Sequence, residues 1–131
     1  MKKIGFYLVF IITVSGCGWY TSSDAIKLEP KTFESKLNES RGVQLVDVRT
    51  PKEFSQGHIK SAININFFSE NFDDSLNILN KDKPVYIYCR SGKRSSKSVS
   101  KFKDAGFKTI YELDGGILNW RSEGLKTMNK D

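Results

Sequence analysis

Residues 84–98 read Pro-Val-Tyr-Ile-Tyr-Cys-Arg-Ser-Gly-Lys-Arg-Ser-Ser-Lys-Ser, and the change of character at Cys89 limits the folds open to this chain. Val85–Tyr88 is β-branched or aromatic throughout, as a buried strand is. After the cysteine the residues turn small and basic, and the polar run Ser95–Ser98 leads into Val99 and Phe102 at helical spacing. This predicts a strand, a short loop and a helix, with Cys89 on the turn that opens the helix. Backbone N–H groups of such a turn point inward and bind anions, and Arg90, Lys93 and Arg94 add positive charge. A thiol in that setting is expected to ionise readily and to act as a thiolate, provided solvent reaches it.

The alternative for a single cysteine at a strand end is an inert, buried side chain, which is the commoner fate of free thiols. The neighbours oppose that alternative. Three cations and a glycine in the five residues that follow Cys89 make a poor core and a good cradle for an anion. Two phosphate-binding loops fail on spacing. A Walker loop counted back from Gly92-Lys93 would need its first glycine at Ile87, and Arg94 stands where Ser or Thr should follow the lysine. A loop of the tyrosine-phosphatase type has five residues between its Cys and its Arg, which would put the arginine at Ser95. The loop from Cys89 to Arg94 is one residue shorter, and its tighter ring of N–H groups suits a sulfur atom carried on the cysteine better than a phosphate.

Four segments in order resemble the rhodanese-type sulfurtransferases. The cysteine loop, third of the four along the chain, is one of them. Leu45-Val46-Asp47-Val48-Arg49-Thr50-Pro51-Lys52-Glu53-Phe54 is similar to the family's strand followed by Asp-Val-Arg-x-x-x-Glu-Phe. Gly57-His58-Ile59 with Ala62-Ile63-Asn64 is similar to its Gly-His-Ile-x-x-Ala-x-Asn, although Lys60-Ser61 replaces a Pro-Gly pair often found there. Leu113 to Trp120 is similar to its closing Leu-x-Gly-Gly-x-x-x-Trp. The likeness covers roughly residues 26 to 125.

The resemblance implies an α/β fold, with a central, mostly parallel five-stranded sheet flanked by helices on both faces. It implies sulfur transfer through a persulfide on Cys89, with Arg90, Ser91, Gly92, Lys93, Arg94 and Ser95 holding the substrate sulfur and Asp47 and Arg49 supporting the loop. The expected partners are a small anionic sulfur donor, such as thiosulfate or a persulfide, and a thiol acceptor or reducing protein. Two other classes stay open: a non-catalytic binding module on the same scaffold, and an enzyme acting on phosphate or arsenate. His58 reads as a packing residue, since a thiolate already formed needs no general base. Glu53 reads as structural, Phe54 and Trp120 as core, and Gly115-Gly116 as a tight backbone passage.

The chain start carries a separate signal. Met1-Lys2-Lys3 is followed by eleven uncharged, mostly apolar residues, Ile4–Val14, and then by Ser15-Gly16-Cys17. This is the order of a secretory signal peptide, and the cysteine after small residues resembles a bacterial lipoprotein box. The expected organisation is a signal peptide over 1–16, a lipidated linker over 17–24 beginning at Cys17, a rhodanese-like domain over 25–126 and a polar tail over 127–131. An uncleaved anchor is the competing reading, although Ser15, Gly16, Gly18, Ser22 and Ser23 dilute the roughly 20 apolar residues that a span needs. Either way the domain is expected outside the cytoplasm and tied to a membrane, with Lys2 and Lys3 inside. The formal charge of +6 is scattered over the chain without aromatic interleaving, so no nucleic acid is expected. Two cysteines and one histidine cannot make a structural zinc site; no metal and no cofactor are expected. If Cys17 carries lipid, Cys89 has no disulfide partner.

Coarse periodicity places strands at 25–29, 43–48, 62–65, 85–88 and 109–113. It places helices at 30–37, 51–55, 70–79, 95–104 and 116–122. Strands alternating with helices imply a parallel sheet covered on both faces, and reactive groups in such sheets lie beyond the strand C-termini.

Overall fold

The structure is a computed structural model that describes residues 25–129. Cys17 and the predicted signal peptide and linker lie outside the described residues. Five strands form one sheet: β1 (Ile26–Leu28), β2 (Gln44–Asp47), β3 (Ile63–Asn64), β4 (Val85–Tyr88) and β5 (Ile110–Leu113). Their order is β1-β5-β4-β2-β3, and every pairing is parallel. The helices are α1 (Pro30–Glu39), α2 (Pro51–Ser55), α3 (Phe72–Ser75), α4 (Lys93–Asp104) and α5 (Gly116–Ser122). The α/β class and the five-stranded sheet agree with the sequence reading. Among the described residues no helix is long and apolar enough to cross a membrane.

Strand β4 lies at the centre of the sheet, so both of its faces are covered and all four of its residues are buried. Successive side chains alternate between faces. Val85, Ile87 and Cys89 join Val46, Val48, Leu76, Val99 and Phe102 on the side of α3 and α4. Tyr86 and Tyr88 join Phe33, Leu45, Ile117 and Trp120 on the side of α1 and α5. The same alternation in β5 divides Ile110 from Leu113 and places Glu112 on the α4 side, where it meets that helix. Trp120 is core, as expected. Phe54 is only half-buried; its ring stacks on the equally half-buried His58 with centroids 3.9 Å apart.

Most element ends shift by one or two residues from the sequence reading, and three differences have a local physical cause. The helix expected over 70–79 is shorter: α3 is followed by a single 3-10 turn, Leu76–Ile78. Phe72 and Leu76 are both anchored in the core, but Ser75 donates its hydroxyl back to the Asn71 carbonyl at 2.8 Å, a bond that competes with regular helix. Helix α4 begins at Lys93 rather than Ser95, because Gly92 turns the chain at φ +100°. The expected polar tail is partly folded. Met128 and His58 exchange two 2.7 Å backbone hydrogen bonds, and Trp120 Nε1 donates to the Lys126 carbonyl at 3.0 Å.

Candidate active site

Cys89 follows the last residue of β4, at the C-terminal edge of the sheet, and the chain turns at once into α4. Its Sγ accepts the Gly92 N–H at 3.0 Å and lies 3.4 Å from the Ser95 hydroxyl. No side chain caps α4, and the first N–H groups of a helix have no acceptor within it. Lys93, Arg94 and Ser95 therefore open the helix beside the sulfur with backbone donors to spare. This is a smaller collar on the resting sulfur than the sequence reading drew: one backbone N–H reaches Sγ itself.

The thiol is also less open than expected. Cys89 is 1% exposed and packs with the α4-side core. The cause is the strand alternation, which aims the side chain under the helix rather than out of the sheet edge. Around it Arg90, Ser91 and Lys93 are exposed and Gly92 is half-buried. The sulfur is thus the floor of a short loop whose rim is polar, basic and wet.

The three cations separate into two kinds. Arg90 and Lys93 stand exposed on the rim. Arg94 is held elsewhere: its Nη1 and Nη2 donate to Glu53 Oε2 and Oε1, both at 2.7 Å, and its guanidinium lies 5.6 Å from the Phe68 ring. Such a fork-to-fork pair is the strongest form of ion pair. It holds the Glu53 carboxylate down at about 2, chiefly through the Arg94 hydrogen bonds and against the opposing effect of burial. It holds Arg94 charged for the same reason. Arg94, expected as a substrate ligand, is paired with Glu53 in this structure and clamps the start of α4 to α2. Thr50 completes the clamp. Its side chain accepts the Glu53 N–H at 3.3 Å while Glu53 Oε2 accepts the Thr50 N–H at 3.0 Å, a capping box.

Asp47 and Arg49 form a second, buried pair. Arg49 Nη2 donates to Asp47 Oδ2 at 2.7 Å and to the Gly57 carbonyl at 2.7 Å. Burial works against the guanidinium charge, but the bonds to Asp47 and its attraction outweigh it and Arg49 stays charged. Arg49 also sits 5.8 Å from the Tyr88 ring, and the Tyr88 hydroxyl accepts the Ile59 N–H at 3.1 Å. Burial, and then the Asp47 charge, push that phenol far above its ordinary range, so it stays neutral. The pair reaches the cysteine loop through Tyr88, the residue before Cys89, and ties the Gly57–Ile59 turn to the same point.

One contributor, Glu112, escaped the sequence reading, while Gly116 was read there as a tight backbone passage. Glu112 is buried below the loop and accepts the hydroxyls of Ser95 at 2.8 Å and Ser96 at 2.6 Å. The signal for it was a carboxylate inside the otherwise apolar strand β5. Gly116 lies directly against the loop backbone: Ile117 N–H donates to the Cys89 carbonyl at 2.9 Å and Leu118 N–H to the Arg90 carbonyl at 3.1 Å. The N-terminus of α5 therefore holds the loop from the other side. His58 makes no contact with the sulfur; its Nδ1 bonds the Phe54 carbonyl at 3.1 Å. No group of side chains able to hold a metal occurs among the described residues.

Comparison with known proteins agrees with this architecture. The chain is 32% identical over 99 residues to a sulfurtransferase of Allochromatium vinosum, covering 76% of this chain and 91% of that one. It is 33% identical over 85 residues to the thiosulfate sulfurtransferase GlpE of Shewanella oneidensis, covering 65% and 82%. Among solved structures, a rhodanese-like domain protein from Staphylococcus aureus matches with a TM-score of 0.69 at 34% identity, over 81% of this chain and 99% of that one. The profile of the rhodanese-like domain matches residues 29–123, and with a cysteine loop seated between the ends of β4 and α4 the chain belongs to the rhodanese-like family.

Proposed function

We propose that this protein is a thiosulfate sulfurtransferase-like enzyme that carries sulfane sulfur on Cys89. The Cys89 thiolate attacks the outer sulfur of thiosulfate or of a persulfide. The S–S bond of the donor breaks, and sulfite or a thiolate leaves with the electron pair. A thiophilic acceptor then attacks the outer sulfur of the Cys89 persulfide, and Cys89 leaves as thiolate. This is covalent catalysis in two displacements. The observation that carries the reading is the position of Sγ: beside the uncapped start of α4, with the Gly92 N–H already on it at 3.0 Å. Donors fixed in place stabilise charge that develops on sulfur in both steps. Arg90 and Lys93, exposed on the rim and without a salt bridge among the described residues, draw the anionic donor; Arg94 keeps the loop in shape. The lipoprotein-like start, Val14-Ser15-Gly16-Cys17, extends the proposal to a lipid anchor on Cys17 that holds the domain at the outer side of a cell membrane or at an outer membrane.

The burial of Cys89 favours a second reading, in which the domain is a binding module and the thiol is inert. Mass spectrometry decides between them. After thiosulfate treatment the enzyme reading expects the mass of one sulfur atom added at Cys89, removed again by cyanide, and absent in Cys89→Ala. An unmodified Cys89 after prolonged thiosulfate, with partner binding unchanged in Cys89→Ala, would establish the module.

A further inference from the structure

Glu112 is a buried carboxylate that the transfer steps do not use. Its partners are two hydroxyls, Ser95 at 2.8 Å and Ser96 at 2.6 Å, both on its Oε1. Ser95 has three neighbours within reach: Glu112 Oε1, the Gly92 carbonyl at 3.1 Å and Cys89 Sγ at 3.4 Å. A serine hydroxyl owns one hydrogen and two lone pairs. The shortest of the three contacts is also the one to a carboxylate, and hydrogen bonds to ionised acceptors are roughly twice as strong as neutral ones. The Ser95 proton therefore lies on Glu112, and what Ser95 offers the sulfur is a lone pair.

We propose that Glu112 is a positioning residue that fixes the Ser95 hydroxyl as an acceptor toward Cys89, so that the resting sulfur is held as a hydrogen-bonded thiol and is released for reaction only when the Ser95 proton turns. In the resting state the Cys89 S–H donates to Ser95 Oγ while Gly92 N–H donates to Sγ, and a neutral thiol is fully matched. When the sulfur becomes anionic its proton passes to solvent. The Ser95 hydroxyl then rotates its own hydrogen from Glu112 to the sulfur, and Glu112 keeps the Ser96 hydroxyl. The carboxylate is thus a brake on the loop, and Ser95 is the lever through which it acts.

The inference rests on Cys89 being the reactive sulfur, but its test needs no sulfur donor, so it fails or stands apart from the persulfide result. The full chain is reduced and alkylated with iodoacetamide, and the Cys89 peptide is followed by mass spectrometry. One pH and one ionic strength are used throughout, because Arg94 beside the sulfur and Arg90 and Lys93 on the rim also act on it. Glu112→Gln keeps an oxygen for Ser95 and Ser96 but makes it a weaker, neutral acceptor. Cys89 alkylation is expected to quicken roughly fivefold, in line with the difference between charged and neutral acceptors. In a Ser95→Ala background the same change is expected to have no effect. An unchanged or slower rate in Glu112→Gln, or the same acceleration with Ser95 removed, overturns the proposal. Infrared spectroscopy gives an independent reading that a purely structural role would not move. The S–H stretching band, isolated by subtracting the Cys89→Ala spectrum, is expected at the lower frequency of a hydrogen-bonded thiol and should rise in Ser95→Ala. A band that stays put in Ser95→Ala refutes the thiol-to-serine bond, whether or not Glu112→Gln folds.

Discussion

Replacing Gly116 by alanine should damage this protein far more than replacing Gly124 by alanine, although both glycines have positive φ, +63° and +75°. A non-glycine residue in the left-handed region costs roughly 1–2 kcal/mol, offset in part by the stiffer unfolded chain, which returns about 0.4–1 kcal/mol. Gly124→Ala meets only that cost, since a Cβ there would touch nothing within 4 Å; its expected loss is about 1 kcal/mol or less. A Cβ on Gly116 would lie 2.4 Å from the Arg90 carbonyl oxygen and 2.6 Å from that of Cys89. Neither is a flexible side chain; both are backbone of the cysteine loop. Those two oxygens accept Leu118 and Ile117 at 3.1 and 2.9 Å, so any movement that makes room weakens two hydrogen bonds worth about 1 kcal/mol each. Overpacking adds roughly 1–3 kcal/mol. The sum for Gly116→Ala is about 3–5 kcal/mol, a large part of the total stability of a small domain. Urea unfolding followed by circular dichroism measures both variants, and a folded Gly116→Ala should also form its Cys89 persulfide more slowly. Equal midpoint shifts in the two variants would refute the claim that α5 packs directly on the loop.

Ser61 is the described non-glycine residue with positive φ, +67°. Ser61→Gly should therefore raise stability by about 0.5 kcal/mol, strain relief less the added freedom of the unfolded chain, seen as a small rise in the thermal midpoint. The Glu53–Arg94 clamp should show in acid. The Glu53 carboxylate falls from an ordinary 4.5 to about 2 on folding, so its stabilisation is complete above the unfolded value and is lost as pH drops from about 4.5 toward 2. Discounted for its partial exposure, the loss is about 1–2 kcal/mol. Urea midpoints measured from pH 6 to pH 3 should converge for wild type and Glu53→Gln, and parallel curves would exclude the pair as the cause.

The order of the strands and helices was legible because local chemistry and tertiary packing agree for most elements. Val85–Tyr88 could only be buried, and Pro51 could only open a helix, so β4 and α2 fall where periodicity puts them. The helix expected over 70–79 fails for the opposite reason: its apolar spacing is right, yet the Ser75 hydroxyl bonds the Asn71 carbonyl and the Asn80 side chain accepts the Asp82 N–H. In the site, sequence marked the residues that differ from their surroundings, Cys89 and the cations beside it, but not how charge is shared among them. Arg90, Lys93 and Arg94 are alike in a string of letters. Only the fold brings Glu53, 41 positions earlier, against one of them and leaves the other two on the rim.

The sequence distance between partners also explains why the resting sulfur is less open than the loop suggests. Loop composition speaks for the backbone donors and cations, all of them within six residues of Cys89, and all of them favour negative sulfur. What opposes them comes from β5: Glu112 reaches the sulfur through Ser95, from a strand 23 residues away whose alternation aims it at α4. If Glu112 fixes the Ser95 proton as proposed, the loop combines a local pull toward the anion with a distant hold on the neutral thiol. The balance between them is set by a single hydroxyl proton, which can move without any change in the backbone. A sulfur carrier exposed to oxidants gains from that arrangement, because the resting form keeps its sulfur covered at 1% exposure, and oxidation of a thiol follows its accessibility.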